Sequence, residues 1–217
     1  MQEISKKLLS TSSSINQSFF KRSFDILFSI VLFLTIFSWL FPVIALLIKL
    51  NSKGKIFFIQ DRIGLNGAIF KCYKFRTLPE KLIKEEDSYL TSEHIPVTGT
   101  GKWLRKFNLD ELPQFINVLK GDMSMVGPRP HALIYHNRYA GYIDNINQRL
   151  LVKPGITGLA QVKGYRGDVE NEELNKQMTR KRIEFDLIYI EQWSIWIDLK
   201  IVFHTFLQMV RIQKPIV

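Results

Sequence analysis

Hydrophobic positions fall along this chain in two regimes. From Ile26 to Ile48 the residues are uncharged and mostly apolar on every side, and a proline interrupts the run at Pro42. At about 1.5 Å of rise per residue, such a run is just long enough to cross a hydrocarbon core of about 30 Å. Proline removes a backbone donor and frees the carbonyl four residues back, at Ser38, where the Ser38 hydroxyl can help satisfy the freed groups. The pattern fits either a helix that dips into the bilayer and returns or a proline-kinked single span. Beyond the run the periodicity changes. Ile56–Gln60 and Ala68–Tyr73 are short β-rich stretches, and Gly64-Leu65-Asn66-Gly67 between them predicts a hairpin turn. Leu112, Phe115, Ile116, Val118 and Leu119 follow helical spacing. That helix is predicted to begin near Asn108–Glu111, to tolerate Pro113 in its first turn and to end at Gly121. Met123 to Pro130 reads as loop, Val152 to Gly164 as loop and short strand, and Glu170 to Gln192 as a long charged helix. From Trp193 to Val210 the chain is apolar again. Trp193, Trp196, Ile197, Ile201, Val202 and Phe206 can share one helix face, with Asp198 and Lys200 turned away. That face suits a helix lying at a membrane interface, or an ordinary core helix; Arg211 and Lys214 beyond it favour the interface.

Charge sharpens this picture. Thirty Lys and Arg face twenty Asp and Glu, a formal net charge of +10. That balance suits anionic partners: lipid headgroups, nucleotides, sugar phosphates or nucleic acid. Basic residues flank the apolar run on both sides, Lys21 and Arg22 before it and Lys49, Lys53 and Lys55 after it. Both ends therefore carry the cytoplasmic mark of a membrane helix. The run is too long for a signal peptide, starts too far in, and is followed by no small-residue cleavage site. Residues 1–19, with Ser10 to Ser14 nearly all hydroxylated, predict a loose arm. Residues 20–50 form the membrane helix, 51–211 one folded domain and 212–217 a tail. Pro79 to Thr100, with Glu80, Glu85, Glu86 and Asp87, predicts a mobile charged loop. The lone Cys72 excludes an intramolecular disulfide framework. His94, His131, His136 and His204 lack metal-ligand spacing, which excludes an ordinary zinc site. No nucleic-acid-binding pattern is present, and the basic residues are scattered rather than striped.

Asp110-Glu111 carries the best candidate chemistry. Two carboxylates at a helix N-terminus lie in the positive end of the macrodipole, which keeps them ionised and favours bound phosphate. An ionised Asp there can act as nucleophile while Glu holds a metal or orients the partner. The competing reading is a capping box, with Asn108 as cap and Glu111 completing it. Nearby cations shift the balance towards chemistry. Arg105 and Lys106 stand one turn upstream, Lys74 and Arg76 end the hairpin, and prolines stiffen both sides of Arg129. A basic pocket around paired carboxylates suits phosphoryl transfer with a divalent cation.

Several blocks, taken together, resemble the bacterial sugar transferases, the small monotopic phosphoglycosyl transferases. They are Lys21-Arg22-Ser23-Phe24-Asp25, Tyr73-Lys74-Phe75-Arg76-Thr77, and Leu109-Asp110-Glu111-Leu112-Pro113-Gln114. Asn117 to Ser124, Val126-Gly127-Pro128-Arg129-Pro130, Lys153 to Gly158, Ala160-Gln161-Val162, Glu184 to Ile190 and Trp193-Ser194 continue the match in order. The resemblance covers roughly residues 20 to 210, in the minimal form without an extra N-terminal membrane domain. Its last blocks look closest to members that transfer glucose or galactose phosphate.

The resemblance implies an α+β fold, mainly helical. It would comprise an N-terminal re-entrant membrane helix, a small β-hairpin, and a helical catalytic domain with interfacial amphipathic helices. It implies transfer of a hexose 1-phosphate from a UDP-sugar to undecaprenyl phosphate, releasing UMP, as the first membrane step towards capsule, exopolysaccharide or O-antigen. By the family pattern Asp110 attacks the β-phosphate, and the Asp110–Glu111 dyad holds Mg2+. Arg105 and Arg129 cradle phosphates, with Lys74 and Arg76 beside them. Gln161 lines the nucleotide-sugar pocket, and Asp186 supports the metal or the acceptor. Pro42 breaks the membrane helix, and Trp193 and Trp196 anchor the domain on the cytoplasmic face of the inner membrane. The family's serine before the helix-breaking proline is replaced by Phe41. Partners are then inner-membrane lipids and the two substrates, without nucleic acid, and a homodimer is left open. Two other classes remain at this point: a non-catalytic basic adaptor tethered to the membrane, and a membrane-anchored UDP-sugar hydrolase.

Overall fold

The computed structural model describes residues 2–80, 97–169 and 171–210. Glu85, Glu86, Asp87, His94, Glu170, Arg211 and Lys214 lie outside them, with most of the predicted charged loop and the tail. Among the described residues the fold is mainly helical, with two small two-stranded sheets.

Residues expected to form a loose arm are instead a helix, α1 (Gln2–Gln17). Leu8 and Ile15 are buried in the main core, and the small Ser12 lets the helix lie close. Lys7 pairs with Glu191 at 2.8 Å, and the Asn16 amide donates to the Leu151 carbonyl at 2.8 Å. The serines bond back to carbonyls three or four residues earlier, which spares the helix their competition for its own donors.

After a cap by Ser18, one long helix runs Phe19–Asn51, 33 residues, long and apolar enough to cross a membrane. It comprises α2 (Phe19–Leu32), a π-helical turn (Phe33–Phe37) and α3 (Ser38–Asn51). Pro42 lies inside α3, and the irregularity sits one turn ahead of it. Side chains cover carbonyls around that turn: Thr35 donates to Val31, Ser38 to Leu34, and the Trp39 ring nitrogen to Thr35. Ser38 thus serves the carbonyl of Leu34, not the carbonyl of its own residue that Pro42 leaves free.

The long helix is bound to the folded body along its whole length. At its start, Lys21 Nζ donates to Asp198 (2.6 Å), to the Val126 carbonyl (3.0 Å) and to the Tyr189 hydroxyl (3.1 Å). Arg22 donates to the Val118 and Leu119 carbonyls, and Asp25 accepts from Ser124 and the Met125 amide. In the middle, Phe37 packs edge-on against Phe115 and Phe41 against Phe75. At its end Ile44 and Ile48 share a core with Phe75 and Leu104, and Asn51 accepts from the Thr100 amide. Lys21 and Arg22, the basic residues ahead of the apolar run, are turned inwards.

The predicted hairpin is present. β1 (Phe57–Ile63) and β2 (Ile69–Phe75) pair antiparallel, Phe57 opposite Phe75 and Ile63 opposite Ile69. Asn66 takes a positive φ of 53° in the connection, as Asn tolerates. Then come α4 (Gly99–Lys106), α5 (Gln114–Lys120) and β3 (Ser124–Val126). They are followed by α6 (Leu133–Ala140), β4 (Gly155–Thr157) and the one-turn α7 (Leu159–Val162). Finally α8 (Glu172–Glu191) starts at its Asn171 cap and leads to α9 (Ile195–Val210). β3 and β4 pair in parallel, which the loop reading of Met123 to Pro130 did not foresee.

At α9 the expected outer face keeps Trp196 and Phe206, but Asp198, Ile201 and Trp193 turn inwards. Asp198 is buried, held by Lys21, Tyr189 and the Trp193 ring nitrogen (3.1 Å). Ile201 is also inside, and Trp193 packs against the core rather than standing free as an anchor. Trp196, 70% exposed, leads the outer apolar face with Leu199, Phe203 and Phe206.

Candidate functional site

Asp110 and Glu111 do not begin an α-helix. Asn108 adopts a left-handed conformation (φ 56°) and makes no side-chain cap bond. Leu109–Glu111 is a single 3-10 turn, and α5 begins only after Pro113. Pro113 explains the offset, because its ring and missing N–H stop an α-helix from running through from Asn108. The capping box is therefore absent, and Glu111 is committed elsewhere.

Glu111 is 7% exposed and holds three cations. Arg129 grips both of its oxygens, with Nη1 to Oε2 at 2.9 Å and Nη2 to Oε1. Lys74 Nζ reaches Oε1 at 3.1 Å and Arg166 Nη2 reaches Oε2 at 2.8 Å. Burial alone would push the Glu111 carboxyl up. Arg129, Lys74 and Arg166 outweigh it and hold the group well below the usual carboxylate range. Glu111 in turn raises the Arg129 guanidinium above its ordinary value, against burial.

Each cation is delivered by a distinct element. Asn117 on α5 bonds both ways to β2, accepting from the Tyr73 amide (3.0 Å) and donating to the Lys71 carbonyl (2.7 Å). That lashing brings Lys74 over Glu111. Arg129 comes from the loop after β3. There Gly127 and Gly155 bring two backbones together so closely that a Cβ on either would overlap the other strand. Arg149 then holds the Arg129 carbonyl at 2.6 Å and is itself paired with Asp186 at 2.9 Å, both almost fully buried. Arg166 lies on the loop after α7.

Asp110 is half-buried. Among the described residues, none makes a hydrogen bond or close ion pair to its carboxylate. Burial, then Glu111, push its carboxyl above the ordinary value, and Lys74, Arg105 and Arg166 oppose them. The positive field that opposes protonation of Asp110 is thus that of side chains, not of a helix end.

The predicted site residues divide accordingly. Lys74 and Arg129 meet at Glu111, and Arg105 stands near Asp110 with its Nε on Thr77 (2.9 Å). Arg76 does not join them. Its guanidinium is buried and spent on the carbonyls of Ser52, Lys53 and Lys55, so it fastens the end of the long helix to β2. Asp186 is paired with the buried Arg149 and, among the described residues, makes no bond to the dyad. Gln161 donates to the Ile156 carbonyl (3.1 Å), while its own buried oxygen has no partner. Sequence reasoning missed Arg166, Arg149 and Asn117. Arg166 had one local signal, its place between glycines in Gly164-Tyr165-Arg166-Gly167.

Among the described residues no three His, Cys, Asp or Glu side chains converge on a metal position. A magnesium ion that keeps its waters and takes phosphate oxygens needs only one or two protein carboxylates. Asp110 is open, while Glu111 is engaged by Lys74, Arg129 and Arg166. The donor set fits such an ion.

The family model for bacterial sugar transferases matches residues 16–212. The chain is 48% identical over 188 residues to a UDP-glucose:undecaprenyl-phosphate glucose-1-phosphate transferase of Klebsiella pneumoniae, covering 86% of this chain and 39% of that protein. It is 38% identical to an undecaprenyl-phosphate galactose phosphotransferase of Salmonella typhimurium, covering 86% of this chain and 40% of that one. An exopolysaccharide production protein PSS of Rhizobium leguminosarum is 41% identical, covering 85% of this chain and 92% of that one. The chain thus spans about two fifths of the length of the first two relatives and nearly all of the third. The chain belongs to the bacterial sugar transferase family.

Proposed function

We propose that this chain is a phosphoglycosyl transferase that moves a hexose 1-phosphate from a UDP-sugar to undecaprenyl phosphate. The observation that carries the reading is the contrast within the dyad: Asp110 free beside Glu111 gripped by Lys74, Arg129 and Arg166. A basic adaptor has no use for a free, half-buried carboxylate inside such a cluster. In the proposed route an Asp110 oxygen attacks the β-phosphorus and the bond to the bridging oxygen breaks, so UMP leaves with that oxygen. An oxygen of undecaprenyl phosphate then attacks the same phosphorus, the aspartyl–phosphorus bond breaks, and Asp110 is regenerated. The cations around Glu111 bind and orient the diphosphate and offset its charge. Magnesium, held through the Asp110–Glu111 dyad and phosphate oxygens, would supply further charge neutralisation, and EDTA is expected to abolish turnover. Relatives named for glucose and galactose make UDP-glucose and UDP-galactose the first substrates to try.

The membrane reading follows the same logic. From Lys21 to Asn51 a straight helix spans about 45 Å, more than a hydrocarbon core of about 30 Å. Yet both ends hold the same folded body, Lys21 through Asp198 and Asn51 through Thr100. A body cannot grip both ends of a helix that crosses to the far side. This supports a helix that enters one leaflet and returns, with the body on the cytoplasmic face and the outer side of α9 in the headgroups.

The test is UMP release by purified protein from a panel of UDP-sugars, with and without undecaprenyl phosphate. Lipid-dependent UMP release is expected. Free sugar 1-phosphate formed without lipid would instead identify a hydrolase, and no release from any UDP-sugar would remove the transferase reading.

A further inference from the structure

Arg166 is the least committed of the three cations on Glu111. Arg129 makes two bonds to that carboxylate and its backbone is fixed by flanking prolines and by Arg149. Lys74 is part of a paired strand. Arg166 makes one contact, to Glu111 Oε2, and its side chain is the most exposed of the three at 34%. Its backbone, by contrast, is carefully held. The buried Arg182 donates to the carbonyls on either side, Tyr165 (3.3 Å) and Gly167, and to Asp168, which also accepts from the Tyr139 hydroxyl (2.6 Å). Positive φ at Gly164 and Gly167 lets the chain arch between these anchors, with open space beside both. The arch thus fixes where Arg166 starts and leaves its long side chain free to turn.

The charge balance around Glu111 supplies a reason to turn. Three cations surround one buried carboxylate, with the half-buried Asp110 beside it. A diphosphate entering next to Asp110 brings at least two further negative charges, and guanidinium matches phosphate oxygens as well as it matches carboxylate. Resting on the transferase reading, we infer that Arg166 leaves Glu111 for the sugar-linked phosphate of the UDP-sugar when that substrate binds. The exchange removes one of the two bonds on Glu111 Oε2, leaving that of Arg129 Nη1, at the moment the anionic substrate arrives. Arg129 and Lys74 stay behind and keep Glu111 ionised. Arg166 is then a substrate-binding residue, and Arg182 a positioning residue that acts through it.

The experiment compares wild type, Arg166→Ala, Arg166→Gln, Glu111→Gln and Glu111→Gln/Arg166→Ala, all as full chains in lipid nanodiscs, with melting curves to establish folding. UDP and UMP binding are measured by calorimetry, alongside turnover of UDP-glucose and UDP-galactose. Loss of one charge-assisted contact predicts that Arg166→Ala weakens UDP roughly ten-fold or more. UMP, which lacks the second phosphate, is expected to shift less than about two-fold on the same grounds. The same UDP loss is expected in the Glu111→Gln background, because the contact is to substrate. If Arg166 only props Glu111, its removal changes nothing once Glu111 is neutral, and that result overturns the inference. UDP affinity unchanged in folded Arg166→Ala, or in Arg166→Gln should the alanine variant not fold, overturns it as well. A wild type that releases UMP from no UDP-sugar of the panel in the presence of undecaprenyl phosphate sinks the transferase reading itself, and the inference with it. An active wild type with an indifferent Arg166 sinks the inference alone.

Discussion

Replacing Asp186 by Asn tests how the site is supported from behind. Arg149 and Asp186 are 1% and 3% exposed, so the substitution leaves a guanidinium buried without its counter-charge. Breaking one partner of such a pair costs about 3–5 kcal/mol. For a chain of this size each kcal/mol moves the melting temperature by about 2–4 °C, so a fall of about 6–20 °C is expected. Function should suffer separately, because Arg149 also holds the Arg129 carbonyl at 2.6 Å. Loss of that brace displaces the Arg129 fork, and a shift of about 1 Å in a positioning group costs on the order of 100-fold in rate. The two effects come apart in Arg149→Met/Asp186→Leu. An apolar pair of similar volume restores stability to about the wild-type level. Turnover should stay low, because methionine cannot donate to the Arg129 carbonyl. Melting is followed by tryptophan fluorescence in nanodiscs and kcat/KM by UMP release. An Asp186→Asn variant that melts within about 2 °C of wild type refutes the burial argument. A double variant with full turnover refutes the brace.

Asp110→Asn should abolish turnover without lowering the melting temperature. Burial and Glu111 push the Asp110 carboxyl up, so the ionised form costs folding energy that a neutral amide avoids. For the same reason the acid limb of kcat/KM should lie above the pH of an unperturbed aspartate, and mass spectrometry of quenched wild type should show a phosphosugar adduct on Asp110. Glu111 has the opposite sign: its depressed value contributes stability that is complete above the ordinary 4.5 and is lost as pH falls through the folded value. Glu111→Gln should lack that acid-sensitive component, and identical acid unfolding of the two proteins would contradict it. Single cysteines at the exposed Ser13 and Lys53, in a Cys72→Ser background, should both resist an impermeant thiol reagent in intact cells and react once the membrane is opened. Labelling at residue 13 in intact cells would mean that the helix spans the bilayer.

The dyad, the hairpin and the apolar helix were legible because their signals are local. The errors arose where distant partners decide. A carboxylate in an amphipathic stretch reads as outward-facing, yet Asp198 is buried because Lys21 meets it from the far end of the chain. Hydroxyl-rich residues 10–14 read as a loose arm, since the seven-residue spacing of Leu8 and Ile15 is a thin stripe and the small serines gain meaning only against a neighbouring helix. Arg76 and Arg129 look alike as arginines near turns. Only the fold shows that one faces carbonyls and the other a carboxylate. Arg166 is 55 residues from Glu111, beyond any periodicity argument.

The Lys21–Asp198 contact sets a clock on biosynthesis. Its partners are 177 residues apart, so at 5–20 residues per second the lysine waits about 9–35 s for its aspartate to be made. Throughout that interval Lys21 lacks its counter-charge, although Val126 and the partners of Asp25, Ser124 and Met125, are made earlier. Lys21 and Asp25 stand just ahead of the apolar run, where headgroup water can hold their charges until the body closes over them. The start of the long helix is therefore charge-neutralised only when the chain is nearly finished. A chain that ends before Asp198 leaves Lys21 without its buried carboxylate.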